Sequence, residues 1–241
     1  MKRETKRETE RETEMDMDMK PEMIDYTFLK AAGEPDAVRR LCREAKRCRF
    51  GCVMVNPAEV RSASRLLKGS GVRVGTVVGF PLGAKTIETK KFEAVQALKD
   101  GALDIDMVVN IRQLKASVRA SAERAALLAD LTDFVKAVKG IAPAACTKII
   151  LECCYLTDRE KRLGCRLAQS AGFDFVKTST GFGIGGATVE DVRLMRKAVG
   201  PHMGVKAAGG IRTLADALAM VEAGANRIGC SAMLLAPANM V

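Results

Sequence analysis

Tryptophan is absent from the 241-residue chain, histidine occurs once and tyrosine twice. With so few aromatic rings among the basic residues, the sequence offers no stacking surface for single-stranded nucleic acid. The lone His202, beside Pro201, disfavours a histidine-based mechanism, and no zinc-like cluster of His and Cys can form around it. The eight cysteines (Cys42, Cys48, Cys52, Cys146, Cys153, Cys154, Cys165 and Cys230) contain no C-x-x-C pair. They read as reduced thiols, mostly small core hydrophobes, in an intracellular protein. The longest uncharged stretch, Ile228 to Val241, is too short and too rich in small and turn residues to span a bilayer. The first residues are charged rather than apolar, so no secretory leader is expected and a cytoplasmic location is.

Charge is plentiful and uneven. Lys and Arg number 39 against 29 Asp and Glu, a net charge of +10. Residues 1–20 carry −1, so the remainder carries +11. A basic globular domain suits anionic partners such as nucleic acid, acidic lipid or a phosphorylated small molecule, or it is merely Arg-rich at its surface. Residues 1–22 read as a low-complexity tail, with Arg-Glu-Thr at 3–5, 7–9 and 11–13. Too few apolar groups stand there to offset the entropy of ordering, so disorder is expected.

From residue 23 to 241 the pattern is that of one domain. Short β-branched runs at Ile24–Leu29, Cys52–Asn56, Val72–Gly79, Ile105–Asn110, Lys148–Glu152, Phe173–Thr178, Val205–Ala208 and Arg227–Cys230 alternate with amphipathic stretches. The latter predict helices near 34–48, 57–68, 86–99, 113–139, 157–171, 188–199 and 213–223. Gly101, Gly172 and Gly224 each follow a helix as expected end caps. Nearly continuous apolar strands separated by helices imply a parallel sheet covered on its faces. Eight such units in about 220 residues favour an α/β fold of the (β/α)8 TIM-barrel type over a doubly wound open sheet.

In such a barrel the active site lies at the C-terminal ends of the strands. Charged residues within those strands therefore need a reason. Lys177 ends Phe-Asp-Phe-Val, Lys206 follows Gly204-Val205, and Asp106 follows Asp104-Ile105. Lys177 and Lys206 stand one βα unit apart, on strands whose axes lie about 4.8 Å from each other. Mutual repulsion and desolvation both lower a lysine pKa and can leave one amine neutral and nucleophilic near pH 7. Such an amine attacks a carbonyl to give an imine, and the protonated imine stabilises a carbanion equivalent next to it. Asp106 could shuttle protons or hold the second lysine charged. The competing reading is that either lysine snorkels to the rim or pairs with a carboxylate.

Glycine-rich loops follow these strands: Thr178-Ser-Thr-Gly-Phe-Gly-Ile-Gly-Gly, Ala207-Ala-Gly-Gly and Ile228-Gly-Cys-Ser. Glycine lets backbone N–H groups approach an anion closely; ordinary tight turns are the alternative. Gly181-x-Gly183-x-x-Gly186 also fits a dinucleotide fingerprint, but the strand that should present an acidic residue presents Lys206, so that reading is rejected.

Taken together, Ile24-Asp-Tyr-Thr-Phe-Leu-Lys, Val55-Asn-Pro, Val78-Gly-Phe-Pro-Leu-Gly-Ala, Ile105-Asp-Met-Val-Val-Asn, Glu152-Cys-Cys-Tyr-Leu-Thr, Phe175-Val-Lys-Thr-Ser-Thr-Gly-Phe-Gly and Val205-Lys-Ala-Ala-Gly-Gly-Ile-Arg resemble the deoxyribose-phosphate aldolase family. These are class I aldolases with a (β/α)8 barrel, and the likeness runs from about Ile24 to Ser231. The resemblance implies Lys177 as the Schiff-base lysine, Lys206 as the lysine that tunes it and shares in proton transfer, and Asp106 as the acid/base carboxylate. It implies Asp25 as a support of the proton relay, and Gly181, Gly209, Gly210, Gly229 and Ser231 as the phosphate site. The implied reaction is reversible cleavage of 2-deoxy-D-ribose 5-phosphate to acetaldehyde and D-glyceraldehyde 3-phosphate, in deoxyribose phosphate catabolism. It implies no cofactor and no metal. Phosphorylated sugars and aldehydes are then the expected small-molecule partners, with no nucleic acid and no membrane; a homo-oligomer is compatible.

Departures from the family pattern stand at Tyr26 (often His), Met54 (Cys), Ala208 (Ser), Cys230 (Thr) and Arg112 (Gly). Met54 and Ala208 are expected at the periphery of the site. Another lysine-dependent aldolase acting on a different phosphorylated sugar, or a silent barrel whose basic surface binds nucleic acid, are the alternative readings.

Overall fold

The computed structural model describes residues 19–234. Eight parallel strands close into a barrel in sequential order: β1 (Ile24–Phe28), β2 (Cys52–Val55), β3 (Arg73–Val78), β4 (Asp104–Val108), β5 (Cys146–Ile150), β6 (Phe175–Lys177), β7 (Gly204–Ala208) and β8 (Arg227–Cys230). Around them run α1 (Ala37–Cys48), α2 (Val60–Leu67), α3 (Ile87–Lys99), α4 (Ile111–Ser117), α5 (Ser121–Ile141), α6 (Asp158–Ala171), α7 (Val189–Val199) and α8 (Leu214–Glu222). This is the (β/α)8 TIM barrel that the strand–helix alternation predicts. Most of the expected tail, residues 1–18, lies outside the described residues. Met19, within the segment expected as tail, is buried in the core, and Pro21–Met23 forms a 3-10 turn leading into β1.

Period-two alternation decides what fills the barrel. Outward residues such as Ile105, Ile149, Val176 and Val205 join Leu114, Phe134 and Met195 in the apolar layer beneath the helices. Inside, Leu29, Cys52, Met54 and Val77 pack together on the β1–β3 side. Strands β4–β7 carry Asp104, Asp106, Lys148, Lys177 and Lys206 instead, all buried. A packed interior normally takes branched apolar side chains, so this half is built for chemistry.

The continuous pattern over 113–139 predicts one helix, whereas the structure has two, α4 and α5. Neither Gly nor Pro marks the break. Ala120 adopts extended backbone (φ −120°, ψ 123°), and the Arg124 Nε donates to the Ser117 carbonyl at 2.9 Å, satisfying the end of α4. The bend lets Leu114 from α4 and Leu127 and Leu131 from α5 all reach the core. Other elements match within a few residues, and Gly101, Gly172 and Gly224 follow their helices with positive φ.

Arg196 of α7 ties two turns at the N-terminal end of the barrel. Its Nη1 donates to Gly200 O (2.6 Å) and Met203 O (2.7 Å), and its Nε to Gly224 O (3.0 Å). Arg196→Ala leaves three carbonyls without these charged donors and should cost about 2–3 kcal/mol, read as a lower urea midpoint with unchanged m-value. No helix among the described residues is long and apolar enough to cross a membrane.

Candidate active site

The register sets Lys177 of β6 directly beside Lys206 of β7, as the spacing of one βα unit implies. Both point into the barrel and both are buried, Lys177 at 3 % exposure and Lys206 at 0 %. Asp106, two strands before Lys177, lies between them. Its Oδ2 accepts from Lys177 Nζ at 2.9 Å and from Lys206 Nζ at 2.8 Å. Asp25 closes the arrangement from β1: one oxygen contacts Lys206 Nζ, and the other accepts from Arg227 Nε at 2.9 Å.

Burial and charge act in opposite directions on these groups. For Lys177, burial is the strongest influence and Lys206 adds repulsion; against the pull of Asp106, its ammonium ends near a pKa of about 8. For Lys206, burial is outweighed by Asp106 and Asp25, so its pKa is raised and it stays charged. Burial alone would push the Asp106 carboxyl up, yet Lys148, Lys177 and Lys206 together hold it well below the usual range. The same contest, won by Lys206 and Arg227 over burial, brings Asp25 to about 2. The resting site at neutral pH is therefore two carboxylates, a fixed ammonium at Lys206 and one amine poised to lose its proton.

A third lysine belongs to this cluster and was missed by the sequence reading. Lys148 on β5 is fully buried, pairs with Asp104, and lies 3.1 Å from Asp106 Oδ1. Three carboxylates hold its pKa well above the ordinary value despite burial. The signal was available, since Lys148 interrupts an apolar strand just as Lys177 does. Glu152 was also missed. It sits in the left-handed region (φ 58°) just past β5, buried, and its carboxylate accepts from both the backbone N–H and the hydroxyl of Thr180. This anchors the loop that follows Lys177.

A cavity of about 350 Å³ opens above Lys177. Gly181, Gly209, Gly210, Gly229 and Ser231 all line it, as do Thr27 and Lys30 at the end of β1. Gly209 and Gly210 both have positive φ (88° and 81°), which side chains other than glycine rarely adopt. Gly229 serves a second purpose: a Cβ there would come within 3.2 Å of the Lys206 stem.

The departures fall in different places. Ala208 and Cys230 line the cavity. The Cys230 thiol is pushed up to about 12 by burial, so it is no nucleophile. Met54 packs with Cys52 and Val77 inside the barrel and is absent from the cavity wall. Tyr26 faces outward, donating to Glu44 of α1 at 2.9 Å and packing edge-on against Phe50. Arg112 is exposed on α4, and His202 is exposed between α7 and β7, away from the cavity. None of the eight cysteines, all of which lie within the described residues, forms a disulfide. Among the described residues, no group of three or more His, Cys, Asp or Glu is placed to hold a metal ion.

Comparison with known proteins agrees with this geometry. The model of the family described as DeoC/LacD family aldolase matches residues 15–234. The deoxyribose-phosphate aldolase of Thermoanaerobacter sp. (strain X514) is 54% identical over 211 residues, covering 88% of this chain and 92% of that one. The deoxyribose-phosphate aldolase of Bacillus subtilis (strain 168) is 53% identical over 210 residues, covering 87% and 91%. Among solved structures, the tetrameric deoxyribose phosphate aldolase from Aeropyrum pernix superposes with a TM-score of 0.78 at 35% identity, covering 88% of this chain and 86% of that one. An aldolase designated QR15 gives 0.80 at 36%, covering 89% and 92%. With a lysine cluster in a closed barrel and a family match over nearly all of its length, this chain is a lyase that belongs to the DeoC/LacD family of aldolases.

Proposed function

We propose that this aldolase reversibly cleaves 2-deoxy-D-ribose 5-phosphate to acetaldehyde and D-glyceraldehyde 3-phosphate through a Schiff base on Lys177. The observation that carries the reading is the Lys177 amine, buried at the floor of the cavity and brought to a pKa of about 8 beside Asp106 and Lys206. The names of the close relatives support the substrate.

In the forward direction the neutral Lys177 Nζ attacks C1 of the open-chain sugar. The resulting carbinolamine loses water to give a protonated imine. The C2–C3 bond then breaks, its electron pair moving toward the imine to leave an enamine, while the C3 hydroxyl proton passes to a base. Asp106 is suited to that task because it rests ionised. It starts as the acceptor and becomes the donor only after that transfer, returning the proton to C2 of the enamine. Water then hydrolyses the imine, releasing acetaldehyde and the free amine. Lys206, kept charged by Asp106 and Asp25, repels a proton from Lys177 and fixes Asp106 in place. Asp25 anchors Lys206 from behind.

The phosphate would sit against the backbone amides of Gly181, Gly209, Gly210 and Gly229 and the hydroxyl of Ser231. Amide dipoles alone leave a dianion partly uncompensated. Lys30 lines the same cavity and makes no ion pair among the described residues, so its ammonium is assigned to the phosphate. Lys30→Met should raise KM for the 5-phosphate about tenfold with little change in kcat, and should leave kcat/KM for unphosphorylated 2-deoxyribose unchanged. A similar loss on both sugars would remove Lys30 from the phosphate site. By likeness to the tetrameric relative, the reading includes assembly as a homo-oligomer.

Borohydride trapping tests the central step. Reduction in the presence of acetaldehyde should add an ethyl group to Lys177, and added deoxyribose 5-phosphate should compete with it. A stable adduct that maps elsewhere in the cavity, or none at all, would overturn the assignment.

A further inference from the structure

A second buried amine lies outside the site just described. Lys90, in the first turns of α3, is 3 % exposed, the same exposure as Lys177. Its stem passes beneath Gly79, where an added Cβ would come within 2.7 Å of the Lys90 Cε. Its Nζ donates to the carbonyl of Val108, at the C-terminal end of β4, at 2.9 Å. Like Lys177, it borders a cavity, here of about 300 Å³, lined also by Thr86, Met107, Asn110, Leu127 and Asp130.

The charged groups around it are few and engaged elsewhere. Glu93 accepts from the Gly79 N–H at 2.7 Å and pairs with Lys85. Asp130 accepts from Gln113 Nε2 at 3.4 Å. Lys85, a cation, lines the same cavity. Among the described residues no carboxylate comes within ion-pair distance of Lys90. Its one hydrogen-bond partner among the described residues is the Val108 carbonyl, which takes one N–H and leaves the lone pair of the unprotonated amine uncommitted.

We propose that Lys90 is a second carbonyl-reactive site, at which short aldehydes enter the cavity between α3, α4 and α5 and condense to an imine. The lone pair of the neutral amine attacks the carbonyl carbon, and the carbonyl electron pair moves to oxygen. One nitrogen proton passes to that oxygen to give the neutral carbinolamine, whose hydroxyl then leaves as water with the second nitrogen proton, giving an imine whose protonated form still donates to Val108. No oxidant or metal enters the step. Burial lowers the Lys90 pKa to about 8 against the opposing influence of Asp130 and Glu93, so about a tenth of it is neutral at pH 7. An ordinary lysine is neutral to roughly 0.03 % at that pH. The inference rests on the proposed reaction only for the source of the aldehyde.

The experiment uses the Lys177→Ala protein, acetaldehyde and cyanoborohydride at pH 7, with peptide mapping of the N-ethyl label over time. Lys90 should be labelled at least about tenfold faster than exposed Lys46. In the urea-unfolded chain the two should be labelled at equal rates, because the fold alone distinguishes them. A native rate at Lys90 equal to or below that at Lys46 overturns the proposal. So does a label on the peptide spanning residue 90 that persists in Lys90→Met, since it would then belong to neighbouring Lys91. Wild-type protein run in parallel separates the two ideas, for labelling of Lys177 there tests the aldolase reading and leaves Lys90 to stand or fall by itself.

Discussion

Lys177→Ala should lower turnover of 2-deoxyribose 5-phosphate by at least about 10⁴-fold while leaving the thermal midpoint close to that of the parent. The loss is large because, among the described residues, no other amine reaches the floor of the cavity with a lone pair to offer. Lys206 is raised in pKa and held between Asp106 and Asp25, and Lys148 is raised as well. The fold should survive because Asp106 keeps Lys148 and Lys206 as partners when Lys177 is gone. Steady-state kinetics and a melting curve on one preparation check both halves. In the parent enzyme the rate of imine trapping should rise with pH through about 8 and then level, since only the deprotonated amine reacts and its folded pKa lies there. Retained turnover in Lys177→Ala would remove the Schiff-base assignment.

Asp106→Asn should cost about 10²- to 10⁴-fold in kcat, the usual worth of a positioned acid–base group, and yet still form the borohydride adduct. Of the three lysines around Asp106, Lys148 retains Asp104 and Lys206 retains Asp25. Among the described residues, Lys177 has no other carboxylate within ion-pair distance. Removing the negative charge therefore lowers the Lys177 pKa further, and the pH dependence of trapping should move to more acidic values. Imine formation is preserved or favoured while the later proton transfers fail. A purely structural role for Asp106 would instead reduce trapping and turnover together. Asparagine suits the test better than alanine, because it keeps the volume and one acceptor among buried ammonium groups. Breaking a buried ion pair outright typically costs about 3–5 kcal/mol.

The assignment of Lys30 to the phosphate and of Lys90 to a separate aldehyde cavity also bears on the basic excess of this chain. Lys177, Lys148 and Lys206 are neutralised by Asp25, Asp104 and Asp106 inside the barrel. They add little to the external field, so a net charge of +10 reflects mainly the outer surface.

Much of this protein follows from its residues in order. Alternating β-branched runs and amphipathic stretches, closed by Gly101, Gly172 and Gly224, dictate eight βα units, because each strand can bury both faces only beneath helices. That Lys177 and Lys206 are neighbours also follows, since consecutive parallel strands lie side by side. Asp106 was legible as a charge within an apolar strand, and by that same rule Lys148 should have been. What sequence could not decide is which charges meet across the barrel. Asp25 and Lys206 lie at opposite ends of the chain and touch only because β8 pairs with β1. Asp106 serves three lysines only because closure brings β4 through β7 around one interior. The in-or-out phase of a strand likewise depends on its register, which places Asp25 in the site and turns Tyr26 away to α1. Lys90, read from sequence alone, is one more cation on a helix; packing against Gly79 and Val108 removes it from water, and that desolvation, a property of the assembled barrel, gives its amine a different chemistry.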